Sequence, residues 1–403
     1  MMYLTMERIE QMEREYGLPL YLFNQEEFIQ NYRELEDSFQ AIYPDFHICY
    51  SYKTNYTPAV CKLVKELGGY AEVVSDMEYE LAERLGYTAD HIVYNGPHKG
   101  AMLESHILAG GINNIDHKEE AERVCHIAAS HPERRIKTGI RVNFDIDAGY
   151  ISRFGIEITQ LGILISYLQE HGVEINGLHC HMSRARGIDA WGNRARTMLE
   201  LVERYDLQDI DYISLGSGMS GHMDEALKVQ FPSAPSYKEY GNVAIQPFAD
   251  YFQGKGKKPV LFTEPGTTLV SKYFDFLGKV EAIKEIRGQT FILCNCSFHN
   301  LGEICQMKNV PIRVFPAGGK AVKAENAKLV GYTCLEQDVF YRDFFGDIAV
   351  GDYIEFGNVG GYSVVDKPPF IQPNCAVVAT EPDGVKLIKR KETWEDIFHT
   401  FTF

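Results

Sequence analysis

The stretch HICYSYKTNYTPAVCKLVKELGGYAEVV, residues 47–74, holds one full cycle of this chain's organisation. An apolar run, His47–Tyr52, ends in Lys53. Thr57 then stands at a helix N-cap with Pro58 at the first helical position, and Val60, Leu63, Val64 and Leu67 fall on one face before Gly68 stops the helix. A second apolar run, Gly69–Val74, follows. Two such runs joined by an amphipathic helix read as a parallel βαβ unit.

The cycle repeats outward from this stretch. Further apolar runs lie at His91–Asn95, Ile112–Asp116, Thr138–Asn143, Ile175–Met182, Tyr212–Gly216 and Pro259–Glu264, with helical stretches between them, one of which follows Ser75-Asp76 and stops at Gly86. Eight strands alternating with helices predict a (β/α)8 barrel, with a doubly wound sheet as the competing architecture. Polar residues decide between the two. Lys53, Glu72, Asn95, Arg141, His181, Gly216 and Glu264 all sit at or just beyond the carboxyl end of a run, and in a barrel those ends converge on one mouth. After Gly266 the texture changes to strand-like runs punctuated by Gly and Pro: Phe276–Ile283, Thr290–Leu293, Ala327–Thr333, Asp352–Phe356 and Ala376–Thr380. The expected division is a barrel over 22–270, with 1–21 and 271–403 forming a mostly β domain that includes a strand at Leu20–Phe23.

Composition narrows the function. The 403 residues are 45% hydrophobic, enough for a sizeable core, and the formal charge of -16 repels a phosphate backbone, so no nucleic-acid partner is expected. The charged N-terminus lacks the apolar centre of a signal peptide and no window approaches a membrane span, which predicts a cytoplasmic protein without a membrane partner. Nine scattered cysteines read as mostly buried, reduced thiols. Cys294-Asn295-Cys296 with His299 and Cys305 invites a zinc reading, but C-x-C is not the usual knuckle and the second half of a site is missing, so no metal is expected.

Three segments carry chemistry on their own terms. Lys53, in Tyr50-Ser51-Tyr52-Lys53-Thr54-Asn55, ends an apolar strand, where partial desolvation would favour a nucleophilic amine; a solvated strand end is the plainer reading. Gly216-Ser217-Gly218 follows the seventh strand, where backbone N–H groups of a barrel commonly cradle a phosphate, and a simple tight turn would look the same. Glu264, in Thr263-Glu264-Pro265-Gly266, aims a carboxylate at the mouth, as a cofactor with a protonated ring nitrogen requires. His181 ends the sixth strand and could stack on a planar ring or be an ordinary core histidine.

Together these segments resemble, in order and over nearly the whole chain, the fold-type III pyridoxal-phosphate enzymes of the diaminopimelate, ornithine and arginine decarboxylase group. Lys53 in Tyr-x-Lys-x-Asn looks like the Schiff-base lysine, which would carry the cofactor as an aldimine. Glu72 stands in the place of the acidic residue of the second strand, and Asn95-Gly96-Pro97-His98-Lys99 matches the third-strand loop. Arg141-Val142-Asn143 with Ser152-Arg153-Phe154-Gly155 matches the fifth strand, His179-Cys180-His181 the sixth, and Thr263–Gly266 the eighth. Cys334 and Tyr362 match the catalytic cysteine and the phosphate-contacting tyrosine of the second domain. The resemblance implies pyridoxal 5'-phosphate as cofactor, held by Lys53, Glu72, Arg141, His181, Gly216, Ser217, Gly218, Glu264, Gly266 and Tyr362. It implies decarboxylation of an amino acid, with Lys53, Cys334, His181 and Glu264 as the catalytic set, and a homodimer in which Cys334 and Tyr362 serve the partner's site.

The departures bear on substrate. Thr267 replaces the arginine that normally follows Glu-Pro-Gly, Arg184 replaces a serine and could supply the lost charge, and Ser217 replaces a glycine. Leu335 follows the cysteine where diaminopimelate and ornithine enzymes place an acidic residue for the distal ammonium, with Glu336 and Asp338 further on as alternative substrate contacts. Cys-Leu-x-x-Asp is closer to the carboxynorspermidine pattern. These changes predict weak activity on meso-diaminopimelate, ornithine and lysine and a substrate from polyamine or natural-product chemistry. Two rivals remain: a racemase of the same fold, against which Cys334 argues, and a non-catalytic cofactor-binding barrel, against which the second domain argues.

Overall fold

The computed structural model describes residues 4–146, 149–381 and 384–403. Eight parallel strands close into a barrel: Phe46–Ser51, Tyr70–Val73, Ile92–Tyr94, Ile112–Ile115, Ile136–Asn143, Val173–His179, Tyr212–Ser214 and Val260–Thr263, the last pairing with the first. Each lies within two or three residues of the run that predicted it. Strands buried on both faces read as apolar runs rather than alternations, and this makes them easy to find.

The barrel interior is filled around Tyr212. Its hydroxyl donates to Asn114 Oδ1 at 2.8 Å and to the Asn113 carbonyl at 3.1 Å. Gly139 and Gly177 leave room for it, since a Cβ would stand 2.0 Å from the Tyr212 oxygen at Gly139 and 2.1 Å from its ring at Gly177. Cys49, Val93 and Phe262 complete this layer.

The helix after the first strand runs over Pro58–Glu66 and ends with Gly68 at φ +93°. Thr57 occupies the N-cap position but does not cap; its hydroxyl donates instead to Asn55 Oδ1 at 2.6 Å. The next helix, Asp76–Arg84, is capped as its sequence suggests, with Ser75 accepting from the Glu78 amide.

By packing, the chain divides into two compact units. One comprises Tyr32–Ser220 and Ser233–Thr268 and holds the barrel; the other comprises the residues through Asn31, Gly221–Pro232 and Leu269–Phe403. The second unit is built on a nine-stranded sheet ordered Val339–Ile348, Val322–Val330, Gln289–Cys294, Phe274–Ile286, Leu20–Phe23, Ala376–Glu381 and Gly384–Lys389, with Tyr353–Phe356 branching from Phe274–Ile286 and Ile312–Phe315 pairing with Tyr353–Phe356. Leu20–Phe23 joins it through antiparallel pairing with Phe274–Leu277 and parallel pairing with Ala376–Ala379. Residues 22–31 and 221–232 therefore group with the sheet and not with the barrel segment expected from sequence. The second of these is tied down by Asn358 Nδ2 donating to Asp224 at 2.7 Å and Lys308 Nζ donating to the Gln230 carbonyl at 2.8 Å. The helix Met6–Tyr16 packs Ile9 and Met12 onto Leu20, Leu22 and Leu277.

Candidate active site

At the carboxyl ends of the barrel strands the side chains form two connected clusters. Lys53 lies in the single helical turn Tyr52–Thr54 directly after the first strand. Its Nζ is 2.5 Å from Glu72 Oε2 and 3.4 Å from Ser51 Oγ. Glu72, 1% exposed, is fixed from three directions: by Lys53, by the Ser51 hydroxyl at 2.6 Å and by Asn95 Nδ2 at 3.2 Å. Ser51 is shared between two sites, because its Oγ also reaches the Glu264 carbonyl at 3.1 Å. Behind this group sits a second buried carboxyl, Glu78, pushed up to about 7 by burial, with the Glu72 charge adding to the effect.

The second cluster is built around Glu264, 1% exposed, just beyond the eighth strand. His179 Nε2 donates to its Oε2 at 2.9 Å, the Ser214 hydroxyl donates to Oε1 at 2.7 Å, and His181 Nδ1 lies 3.8 Å from Oε2. Burial works to raise the Glu264 pKa, but His179 and then His181 outweigh it and hold the carboxyl well below the ordinary range. Glu264 is an anion at neutral pH. His181 moves the other way: burial, helped by the charges of Lys53 and Arg141, lowers it to about 4 against the pull of Glu264. Its ring is neutral, and its Nδ1 accepts from the Ser217 amide at 3.3 Å, which assigns the proton to Nε2.

The loops around these clusters are shaped by close backbone approach. Gly216 and Gly218 have φ of +59° and +98°, and a Cβ on either would stand 2.3 Å from a carbonyl oxygen, that of Cys180 or Met182. No other residue type fits there without moving the loop after the sixth strand. Gly266 packs against the Lys53 turn, where a Cβ would meet Thr54 Oγ1 at 2.0 Å. Thr267 opens the short helix Thr267–Val270. Arg141, buried, donates to Asp116 Oδ1 at 3.1 Å and to the His181 carbonyl at 3.5 Å. Asp116 in turn accepts from the Gly155 amide at 3.1 Å, tying together the fourth strand, the fifth strand and the loop that follows it.

Arg184 is exposed, its guanidinium 5.6 Å from the centre of the Tyr150 ring. The guanidinium buried behind the glycine loop belongs to Arg194, which sequence reading passed over. Ser51, Ser214, Asp116 and the Glu264 contact of His179 were also missed as partners. For the two serines and Asp116 the available signal was a polar residue in or at the end of an otherwise apolar run; for Arg194 it was one basic residue on the buried face of a helix.

Within the other unit, Cys334 is the one exposed cysteine of the nine, all of which are free thiols. Cys296 and Cys305 are buried and burial raises both, Cys305 to about 12. Tyr362 holds φ +53°, a strained conformation for a non-glycine residue. Leu335 is half-buried and Glu336 exposed. Asp338, expected among the substrate contacts, is engaged within its own unit. It is 3% exposed, its Oδ1 accepts from the Phe298 amide at 2.8 Å, and its Oδ2 accepts from the amide and hydroxyl of Thr333 at 3.2 and 2.6 Å. Its carboxylate braces the turn that carries Cys334. Among the described residues, the one group with metal-ligating geometry is His179, His181 and Glu264, whose ligand atoms lie within 4.8 Å of one another.

Comparison with known proteins supplies what geometry alone leaves open. Residues 26–271 match the family described as pyridoxal-dependent decarboxylase, pyridoxal binding domain. The diaminopimelate decarboxylase of Aquifex aeolicus is 26% identical over 96% of this chain and 93% of its own length. That of Methanocaldococcus jannaschii is 24% identical over 96% and 92%. Among solved structures, the diaminopimelate decarboxylase of M. jannaschii in complex with L-lysine superposes with a TM-score of 0.84 at 23% identity, covering 97% of this chain and 94% of the other. The lysine/ornithine decarboxylase of Vibrio vulnificus complexed with cadaverine gives 0.77 at 19%, covering 94% and 100%.

Proposed function

The chain belongs to the pyridoxal-dependent decarboxylases, and from that premise we propose that the barrel mouth holds pyridoxal 5'-phosphate through Lys53 and removes the α-carboxylate of an amino acid. It is a fold-type III carboxy-lyase of the ornithine, arginine and diaminopimelate group. The barrel's residues fit the cofactor on three counts. A lysine stands beside a buried carboxylate, an anionic Glu264 waits for a ring N–H, and two glycines whose Cβ would collide with backbone shape a loop for an anion. We assign the cofactor to Lys53, Glu72, Arg141, His181, Gly216, Ser217, Gly218, Glu264, Gly266, Thr267 and, from a partner subunit, Tyr362. Residues 22–270 are taken as the cofactor-binding segment, of which 22–31, 221–232 and 269–270 pack with the sheet unit, and 1–21 with 271–403 as the second domain.

Pyridoxal phosphate, when bound, supplies a conjugated sink for the electron pair that remains at Cα as carbon dioxide leaves. The chain's own residues do the rest. Glu264, kept anionic chiefly by His179, would hold a proton at the ring nitrogen. His181 presents a neutral, flat ring for stacking, which adds no charge to the face it covers. Glu72 orients Lys53 Nζ at the strand end through the 2.5 Å contact, while Ser51 and Asn95 keep Glu72 from turning away. Cys334 Sγ delivers a proton to Cα, and Lys53 Nζ is the alternative donor. The assignment of Cys334 and Tyr362 to the partner's site makes the working unit a homodimer, which we place in the cytoplasm; among the described residues no helix is long and apolar enough to cross a membrane.

For substrate, the relatives named as diaminopimelate decarboxylases make meso-diaminopimelate the first compound to test. Leu335 and Thr267 weigh against it, leaving Glu336 as the exposed carboxylate next to Cys334. We therefore read the chain as a diaminopimelate-type enzyme whose distal pocket takes a different group. The observation that carries the functional reading is the Lys53–Glu72 contact at the end of the first strand. Borohydride reduction of the holoprotein and peptide mapping should put the cofactor on Lys53. A label on another lysine overturns the assignment.

A further inference from the structure

Arg194 lies on the helix Ile188–Arg204, is 0% exposed, and has no carboxylate within ion-pair distance among the described residues. Its guanidinium lies 4.1 Å from the centre of the buried Trp191 ring. The NH1 group donates to the Leu215 and Ser217 carbonyls at 2.7 and 2.9 Å, and NH2 donates to the Met182 carbonyl at 3.1 Å. One cation thus gathers the loops after the sixth and seventh strands. A buried charge normally has a partner of opposite sign, and three neutral carbonyls answer it only in part.

The Glu264 carboxylate also acts on it through space, and the peptide plane shows where a further anion would be met. In a trans peptide the C=O and N–H point in opposite directions. With the Ser217 carbonyl turned in toward Arg194, the Gly218 N–H of the same peptide is turned away from it, and that N–H donates to nothing among the described residues. A cation on the carbonyl side polarises that peptide and strengthens its open donor. We propose that Arg194 is a positioning residue for phosphate: the counter-charge behind the glycine loop, which makes this chain select the phosphorylated form of its cofactor. This rests on the functional reading above and deepens it. It also explains how the loop can work with Thr267 where the family places an arginine and with Arg184 exposed against Tyr150.

The test titrates the full chain, stripped of cofactor, with pyridoxal 5'-phosphate and separately with pyridoxal, which lacks the anion. Arg194→Gln keeps donors but loses the charge, Arg194→Lys keeps the charge with fewer donors, and Arg194→Met loses both. Gln and Met should lower the preference for the phosphorylated compound by about tenfold or more, equivalent to about 1.4 kcal/mol, with pyridoxal affinity unchanged. Lys should retain most of the preference. If Gln and Met keep the preference, or Lys loses as much as Met, the guanidinium only pins carbonyls and the proposal is wrong. The natural holoprotein offers a readout that needs no variant. The titratable and charged groups about the loop are neutral His181, anionic Glu264, the buried Cys180 thiol, Tyr150, Tyr240, whose hydroxyl accepts from the Ser220 amide, Arg141, which donates to the His181 carbonyl, and Arg186, which donates to the Met219 carbonyl. With Arg194 behind it, bound phosphate should stay dianionic in phosphorus NMR well below its ordinary second pKa of about 6; titration at about 6 also overturns the proposal. A natural chain that binds neither compound would defeat the functional reading itself, whereas one that binds both equally defeats this inference alone.

Discussion

Lys99→Met should be among the most damaging single substitutions in the barrel. Lys99 and Glu120 form an ion pair at 2.6 Å with side chains 0% and 2% exposed, and Lys99 also donates to the Asn114 carbonyl at 2.8 Å. Burial lowers the Lys99 pKa despite the pull of Glu120, so desolvation outweighs attraction and the pair as a whole adds little stability. Removing one member is different, because it strands the other. Among the described residues, methionine at 99 leaves a buried carboxylate with only the Asp116 amide, at 3.0 Å, to answer it. The expected cost is about 3–5 kcal/mol, a large part of the roughly 5–15 kcal/mol that a domain has in total.

Adding Glu120→Gln, which keeps an acceptor for Asp116, should recover about 2 kcal/mol or more of the loss. Trp191, fully buried in the barrel unit, reports its unfolding once Trp394, 57% exposed in the other unit, is replaced by Phe. Urea titrations followed by its fluorescence give the comparison. A loss below about 1 kcal/mol, the level of a surface pair, or a double variant no better than the single one, refutes the reasoning.

Other consequences are simpler to check. Glu264→Gln should keep the cofactor but turn over about 10²–10³-fold more slowly, since an amide cannot hold the ring proton; an unchanged kcat would remove Glu264 from that role. With His181 at about 4, its ring should be neutral throughout pH 5–8, so an imidazole NMR titration near the ordinary value of about 6.5 would contradict the site's electrostatics. Cys334→Ala should bind cofactor and turn over about 10²–10⁴-fold more slowly, and mixing it with Lys53→Ala subunits should restore activity if sites are shared; no recovery, with subunit exchange demonstrated, would place Cys334 in its own chain or outside the reaction. On meso-diaminopimelate, Leu335→Glu should outperform the natural chain. Natural turnover at about 10⁴ M⁻¹s⁻¹ or above would instead mean that Glu336 or another group serves the distal ammonium.

The barrel was legible because each of its strands is buried on both faces, so Phe46–Ser51 and its seven counterparts read as apolar runs ending in the polar residues that gather at the mouth. The other unit was read less well. Val339–Ile348 and Gly384–Lys389 went unnoticed since charges interrupt VFYRDFFGDI and GVKLIK, strands with partly exposed patterns of burial. Ile312–Phe315 is only four residues long.

Sequence by itself determined the alternation of strand and helix, the ends at which chemistry would sit, and the motif order that resembles the family. Which side chains answer one another there was decided only by tertiary structure. Glu264 accepts from His179 and Ser214, residues 85 and 50 positions away, and Arg194 finds its carbonyls at 182, 215 and 217. The bonds of Asp338 to Phe298 and Thr333 were likewise visible only in the fold. Hydrophobic periodicity is a property of neighbours along the chain and survives in one dimension. A hydrogen bond is set by distance and angle at about 3 Å, and that information exists only once the barrel has closed.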